Sequence, residues 1–135
     1  DKSEKSRVRT YIEVRILSYR EVFTMDKIKV AIYCRISPFA DEFTLTYLCG
    51  VQKAVLMEKA ATANFEVAGY YEDIGYTGND MKRPGLQQML RDFASGKFSL
   101  VLVVNRDRLF KSDHLAAQNL PFPILSIQPN SRSSE

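Results

Sequence analysis

The sequence predicts a small three-layer α/β domain built on a mainly parallel sheet. Strand-like apolar runs alternate with helix-like periodic ones through the middle of the chain, which calls for crossovers over the sheet faces. The polar and charged residues with chemical potential fall just after the strand-like runs. The 135 residues, 45% of them hydrophobic, suffice for one core and leave no room for a second full domain.

Ile28 to Arg35 is a short, β-branched, largely apolar run that suits a strand covered on both faces. Leu45 to Ala63 reads as a helix. Its apolar residues recur at steps of three and four in two sets, Leu48, Val51 and Val55 and then Ala54, Met57 and Ala61, while Gln52, Lys53, Glu58 and Lys59 supply wetter positions. Phe65 to Glu72 is rich in aromatic residues and ends at the turn-forming run Asp73 to Asp80, which makes it the second strand. Pro84 suits a first helical position and Arg83, before it, is pushed out of helical geometry, so the second helix opens here and runs to about Ser95, with Gly96 as its stop. Phe98 to Val104 is the strongest strand signal in the chain.

The ends divide from this core, giving an extension over residues 1–24, a core over residues 25–115 and an irregular or truncated tail over residues 116–135. Tyr11 to Leu17 alternates like an edge strand, yet Met25-Asp26 looks like a natural start, so the extension reads equally well as foreign to the domain. In the tail only Ile124 to Ile127 suits a strand.

Charge is uneven. The net charge is only +3, but Lys82, Arg83, Arg91, Lys97, Arg106, Arg108 and Lys111 stand against Asp92 and Asp107 between positions 82 and 111, which marks an anion-facing surface. Cys34 and Cys49 show no paired spacing and no ligand cluster near His114, so they read as buried thiols in a reducing compartment. No run approaches a membrane span and the start lacks a signal pattern, which predicts a soluble cytoplasmic protein without membrane partners.

In a parallel sheet, functional residues gather at the carboxyl ends of the strands. Arg35 and Ser37 follow the first strand, Asp73 to Arg83 the second, and Asp107, Arg108 and Lys111 the third, so all three sets should meet at one edge. Attack on a phosphodiester needs a nucleophile, charge compensation for phosphate oxygens and a route for protons. A serine hydroxyl and a group of arginines, whose planar forks bind phosphate through paired hydrogen bonds, supply these parts. Each residue also has a plain structural reading: Ser37, before Pro38, as a turn residue, Arg83 as a solvated helix start, Arg108 as a loop ion-pair partner, Asp107 and Lys111 as a helix-surface pair, and Gln52 as a polar helix edge.

Tyr33-Cys34-Arg35-Ile36-Ser37 resembles the Tyr-x-Arg-x-Ser signature of serine recombinases, the resolvases, invertases and large serine integrases. Asp73-Ile74-Gly75-Tyr76-Thr77-Gly78 with Arg83-Pro84-Gly85-Leu86 is similar to the family's acidic-turn and Arg-Pro-Gly-Leu segments, and Asp107-Arg108-Leu109 to its Asp/Ser-Arg-Leu element. The match spans about Lys27 to His114. It implies a resolvase-like fold and DNA strand exchange in which Ser37 becomes a 5′-phosphoserine. Arg35, Arg83 and Arg108 would hold the scissile phosphate, Asp107 would assist proton transfer or orient an arginine, and Gln52 and Lys111 would complete the site. It also implies no metal or nucleotide cofactor, DNA as partner and a homo-oligomer in the full-length family.

Three departures from the pattern frame an alternative. Lys111 stands where the family has arginine, Leu48-Cys49-Gly50-Val51-Gln52 replaces a more polar Ser-Leu-Glu-x-Gln, and the further strand and long helix of family members have no length left here. The alternative is a truncated, non-catalytic remnant that binds a partner or, weakly, DNA. A small-anion or nucleotide-binding α/β domain is a third reading, disfavoured because no Gly-rich phosphate loop follows the first strand.

Overall fold

A computed structural model describes residues 26–110 and 119–128. The elements run β1 (Lys29–Ile36), α1 (Glu42–Thr62), β2 (Glu66–Ile74), α2 (Pro84–Ala94), β3 (Leu100–Val103), a 3-10 turn at Arg106–Arg108 and β4 (Ile124–Ser126). The sheet has the order β2-β1-β3-β4 and every pairing is parallel. This is the predicted α/β architecture. The expected strand near Ile124 joins the sheet as its edge, so the stretch read as an irregular tail contributes one strand. The alternating stretch Tyr11 to Leu17, Lys111 and His114 lie outside the described residues.

β1 occupies an inner position, and its alternating side chains make two cores. Val30, Ile32, Cys34 and Ile36 point toward α1 and pack with Leu45, Cys49, Leu56 and Ala60. Ala31 and Tyr33 point the other way, with Leu86 and Met89 of α2 and Phe98, Val101 and Val103. Burial on both faces explains why β1 reads as a continuous apolar run. Each large aliphatic side chain buried in this way contributes about 1.5–3 kcal/mol relative to exposure.

α1 differs from its sequence reading in two respects. It begins at Glu42 because Asp41 caps it, its carboxylate accepting from the Thr44 N–H at 2.9 Å and the Thr44 hydroxyl at 2.9 Å. That solvated first turn precedes the apolar periodicity, which starts only at Leu45. The buried face is also different: Leu45, Cys49, Gln52, Leu56 and Ala60 meet the sheet, whereas Val51, Val55 and Met57 are exposed. Apolar residues lie on two sides of this helix, and only one side can face a sheet. α2 matches its expected bounds, with Pro84 in its first turn, Ser95 as C-cap and Gly96 at a φ of +84°.

Candidate active site

The carboxyl edge of the sheet assembles around Arg35, the penultimate residue of β1. Its Nη1 donates to the Ser37 hydroxyl oxygen at 2.9 Å and to the Tyr76 carbonyl at 3.0 Å. Its Nη2 donates to the Asp107 carbonyl at 2.9 Å and its Nε to the Arg108 carbonyl at 2.8 Å. One buried guanidinium therefore ties Ser37 to the loops that follow β2 and β3. The expected meeting of three sequence segments occurs at this edge through Arg35 and Ser37, the loop at Tyr76 and the turn at Asp107 and Arg108. Gly78 lies close by, where an added Cβ would stand 3.3 Å from Arg35 Nη2. Burial, then the neighbouring charge of Arg83, lowers the Arg35 pKa from its ordinary value, with Arg108 adding a smaller effect of the same sign.

The Gln52 side chain organises this strand end. The ladder between β1 and β3 stops at Ile32 and Leu102. Beyond it, the Gln52 carboxamide donates to the Arg35 carbonyl at 3.0 Å and accepts from the Arg35 N–H at 3.4 Å. Both backbone groups of Arg35 are thus engaged by a buried side chain on α1. Gln52 is an interior residue rather than a polar edge.

Arg83 stands apart from the residues that face Ser37. It is 0% exposed, and its Nε donates to the Asp80 carbonyl at 2.8 Å. Its Nη1 donates to the Tyr33 hydroxyl at 2.8 Å and the Arg108 carbonyl at 3.0 Å, and its Nη2 donates to the Leu109 carbonyl. The guanidinium lies against the rings of Tyr33 and Phe110, with centroid distances of 5.8 Å and 5.2 Å. The fork that the sequence assigns to phosphate is occupied by the protein's own oxygens.

Arg83 is one member of a buried network that the sequence reading missed. Tyr33 donates to Asp73 Oδ2 at 2.6 Å, and the same carboxylate accepts from the Gly85 N–H at 2.7 Å and the Leu86 N–H at 2.9 Å. Asp73, 1% exposed, therefore caps α2 from the end of β2. Burial pushes the Tyr33 hydroxyl pKa well above the ordinary phenol range, so it stays protonated and able to donate. The Arg-Pro-Gly run is explained by position: a buried arginine, a proline that opens the helix, and a glycine whose Cβ would stand 2.5 Å from the Glu72 carbonyl. A turn-forming Asp after a strand and an N-terminal helix proline were the available signals; their contact depends on tertiary structure.

Asp107 and Arg108 sit half-buried in the 3-10 turn, and Arg108 Nη1 approaches the Arg35 carbonyl at 3.4 Å. Arg108 Nε is buried and has no hydrogen-bond partner among the described residues. Cys34 and Cys49 are free and buried. Among the described residues, no group of side chains could hold a metal ion and no helix is long and apolar enough to cross a membrane.

The carboxyl edge of this parallel sheet thus holds a serine hydroxyl bonded to one arginine, with a second arginine in the adjoining turn. Residues 30–120 match the family model described as "Resolvase, N terminal domain", and the chain belongs to that family. The N-terminal catalytic domain of TP901-1 integrase is 26% identical, with a TM-score of 0.58 over 73% of this chain and 76% of that one. A resolvase family site-specific recombinase from Streptococcus pneumoniae is 28% identical, with a TM-score of 0.58 over 75% and 72% of the two chains. A serine recombinase from Sulfolobus solfataricus is 26% identical, with a TM-score of 0.60 over 80% and 74%. No curated protein sequence matches the chain.

Proposed function

We propose that this chain is the catalytic domain of a site-specific DNA recombinase and that Ser37 is its nucleophile. The observation that carries this reading is the 2.9 Å hydrogen bond from Arg35 Nη1 to Ser37 Oγ at the edge where the three loops converge. A guanidinium donating to Oγ favours the deprotonated, attacking form and leaves the hydroxyl proton free to depart. Ser37 Oγ then forms a bond to phosphorus as the bond to the 3′-oxygen breaks. A 5′-phosphoserine and a free 3′-hydroxyl result, and attack by a 3′-hydroxyl reverses the step without an external energy source.

Arg35 and Arg108 are the phosphate-facing groups in this reading. The buried Nε of Arg108, lacking a partner among the described residues, supports a donor that completes its bonds on a phosphate oxygen. Asp107 lies beside it and serves proton transfer or arginine orientation. Gln52 positions Arg35 through the backbone, and Arg83 braces the loops instead of touching phosphate. Lys111 adds a charge to the same segment.

Nicked or suicide DNA substrates, followed by denaturing gels, test this directly. A covalent protein–DNA band that disappears in Ser37→Ala is the expected result. Its absence across varied salt and DNA sequence would favour a non-catalytic domain that keeps the fold as an interaction or weak DNA-binding module.

A further inference from the structure

Ser37 begins a tight turn that sets a large aromatic side chain beside it. The Phe39 N–H donates to the Ser37 carbonyl at 2.9 Å, which closes a three-residue γ-turn around Pro38. Among the described residues Asn64 is the only non-glycine with a positive φ, so Pro38 has a negative one and the turn is of the inverse kind. That turn centres on a φ of about −75°, close to the value of about −65° that a proline ring imposes. Covalent structure thus presets the turn and holds Phe39 in a fixed relation to Ser37. Phe39 nevertheless joins neither core cluster and is 65% exposed.

We propose that the Phe39 ring stacks on a base at the step where DNA is cut, entering the duplex as a wedge beside the scissile phosphate. This assignment rests on Ser37 being the nucleophile. Reach then decides what the ring meets. Two residues span at most about 7 Å, and bases follow one another at about 3.4 Å along a strand. With Ser37 Oγ at bonding distance from phosphorus, the Phe39 ring is within reach of the nucleotides that flank that phosphate and of little else on the DNA.

Charge distinguishes base from backbone. Past Phe39 the chain turns acidic: Asp41 caps α1 and Glu42 stands in its first turn, both exposed. The loops that follow β2 and β3 carry exposed Lys82 and Arg106 at the same sheet edge. Phosphates are drawn toward Lys82 and Arg106 and repelled by Asp41 and Glu42, so the side of the site that holds Phe39 favours bases over backbone. An uncharged ring suits that side. Proteins that kink DNA insert apolar side chains, phenylalanine among them, between base steps, and the ring in the gap replaces stacking that the step gives up.

Suicide duplexes that capture the parent chain test this, in a series that lacks one base at a time on either side of the scissile phosphate. Phe39→Ala should slow covalent capture on the intact duplex, at limiting protein, by about 10- to 100-fold, as loss of a base-stacking aromatic does. It should melt with the parent, because an exposed side chain leaves no cavity behind. Phe39→Tyr keeps the ring and should stay within about twofold of the parent. On the duplex that lacks the stacked base, Phe39→Ala should cost no more than about twofold, since its partner is already gone. A ring that served only to place Ser37 would lose the same factor on every duplex, and that result overturns the proposal. Undiminished capture by Phe39→Ala on intact DNA overturns it too. Either result leaves Ser37 as the nucleophile, whereas absence of a covalent band with the parent on every duplex overturns both assignments.

Discussion

Replacing Arg83 with lysine separates a residue that holds DNA from one that holds the domain together. Arginine here reaches four acceptors: the carbonyls of Asp80, Arg108 and Leu109, and the Tyr33 hydroxyl. A lysine ammonium keeps the charge but cannot span a planar fork's width. The Arg108 carbonyl would still receive Arg35 Nε, and Tyr33 would still donate to Asp73, so the loss falls on the Asp80 and Leu109 carbonyls. Leaving one or both unpaired near a buried charge, at about 1–3 kcal/mol each, sets the cost of Arg83→Lys at about 3 kcal/mol. In a domain of this size that lowers Tm by roughly 10 °C. Urea unfolding followed by circular dichroism reads the free energy. Covalent DNA capture, measured below the transition, should remain within about tenfold of the parent, against the 10²–10³ loss typical of a preorganised donor. A variant as stable as the parent to within about 0.5 kcal/mol, yet unable to capture DNA, would refute the bracing role and restore Arg83 to the phosphate.

Arg35→Ala should reduce covalent capture by about 10²–10³, because it removes the donor on Ser37 Oγ together with the links to both loops, and Arg35→Lys should recover little of it; quenched time courses on suicide substrates measure this. Gly85→Ala should destabilise the domain by more than about 1 kcal/mol, since the new Cβ meets the Glu72 backbone carbonyl at 2.5 Å, a contact that no side-chain rotation relieves; thermal melts test it. Asp92 has a lowered pKa, mainly through the Tyr71 hydroxyl, which donates to it at 2.5 Å, and then through Gln88. Its folded pKa lies below its unfolded one, so the stabilisation is complete above the unfolded carboxylate pKa and fades as pH falls through the folded value. Asp92→Asn should therefore flatten the acid limb of a Tm–pH curve, and, because Asp92 also helps to raise the Tyr71 hydroxyl pKa, it should make the alkaline limb shallower as well.

The parts of the fold that were readable in sequence were those in which burial dictates composition. β1 and β3 are covered on both faces and read as unbroken apolar runs, and the proline and glycine bounding α2 signal its ends through backbone geometry alone. α1 was legible as a helix but not in its orientation. Val51, Val55 and Met57 are as apolar as Leu45 and Leu56, and periodicity cannot say which of two apolar sides meets the sheet. The same limit hid Gln52, whose burial is tolerated only because the end of a ladder needs its carboxamide. The convergence of Arg35, Ser37, Asp107 and Arg108 followed from strand polarity, a topological rule. Arg83 and Asp73 were not placed, because a charge that satisfies the protein's own carbonyls and one that awaits an anion look alike in a sequence.

Most of the oxygens that receive the Arg35 guanidinium belong to the main chain, at Tyr76, Asp107 and Arg108. Every amino acid supplies a carbonyl, so the bonds that aim Arg35 place no demand on the side chains at these positions. Orientation of the arginine that holds Ser37 is encoded in the path of the loops, and the side chains that they carry are released for other work. Arg108 shows this most clearly: its backbone carbonyl receives both Arg35 and Arg83, while the Nε of its own guanidinium is left without a partner among the described residues. Relatives could exchange the residue at position 76 and keep the same grip on the serine, provided that the loops close at the same height above the sheet.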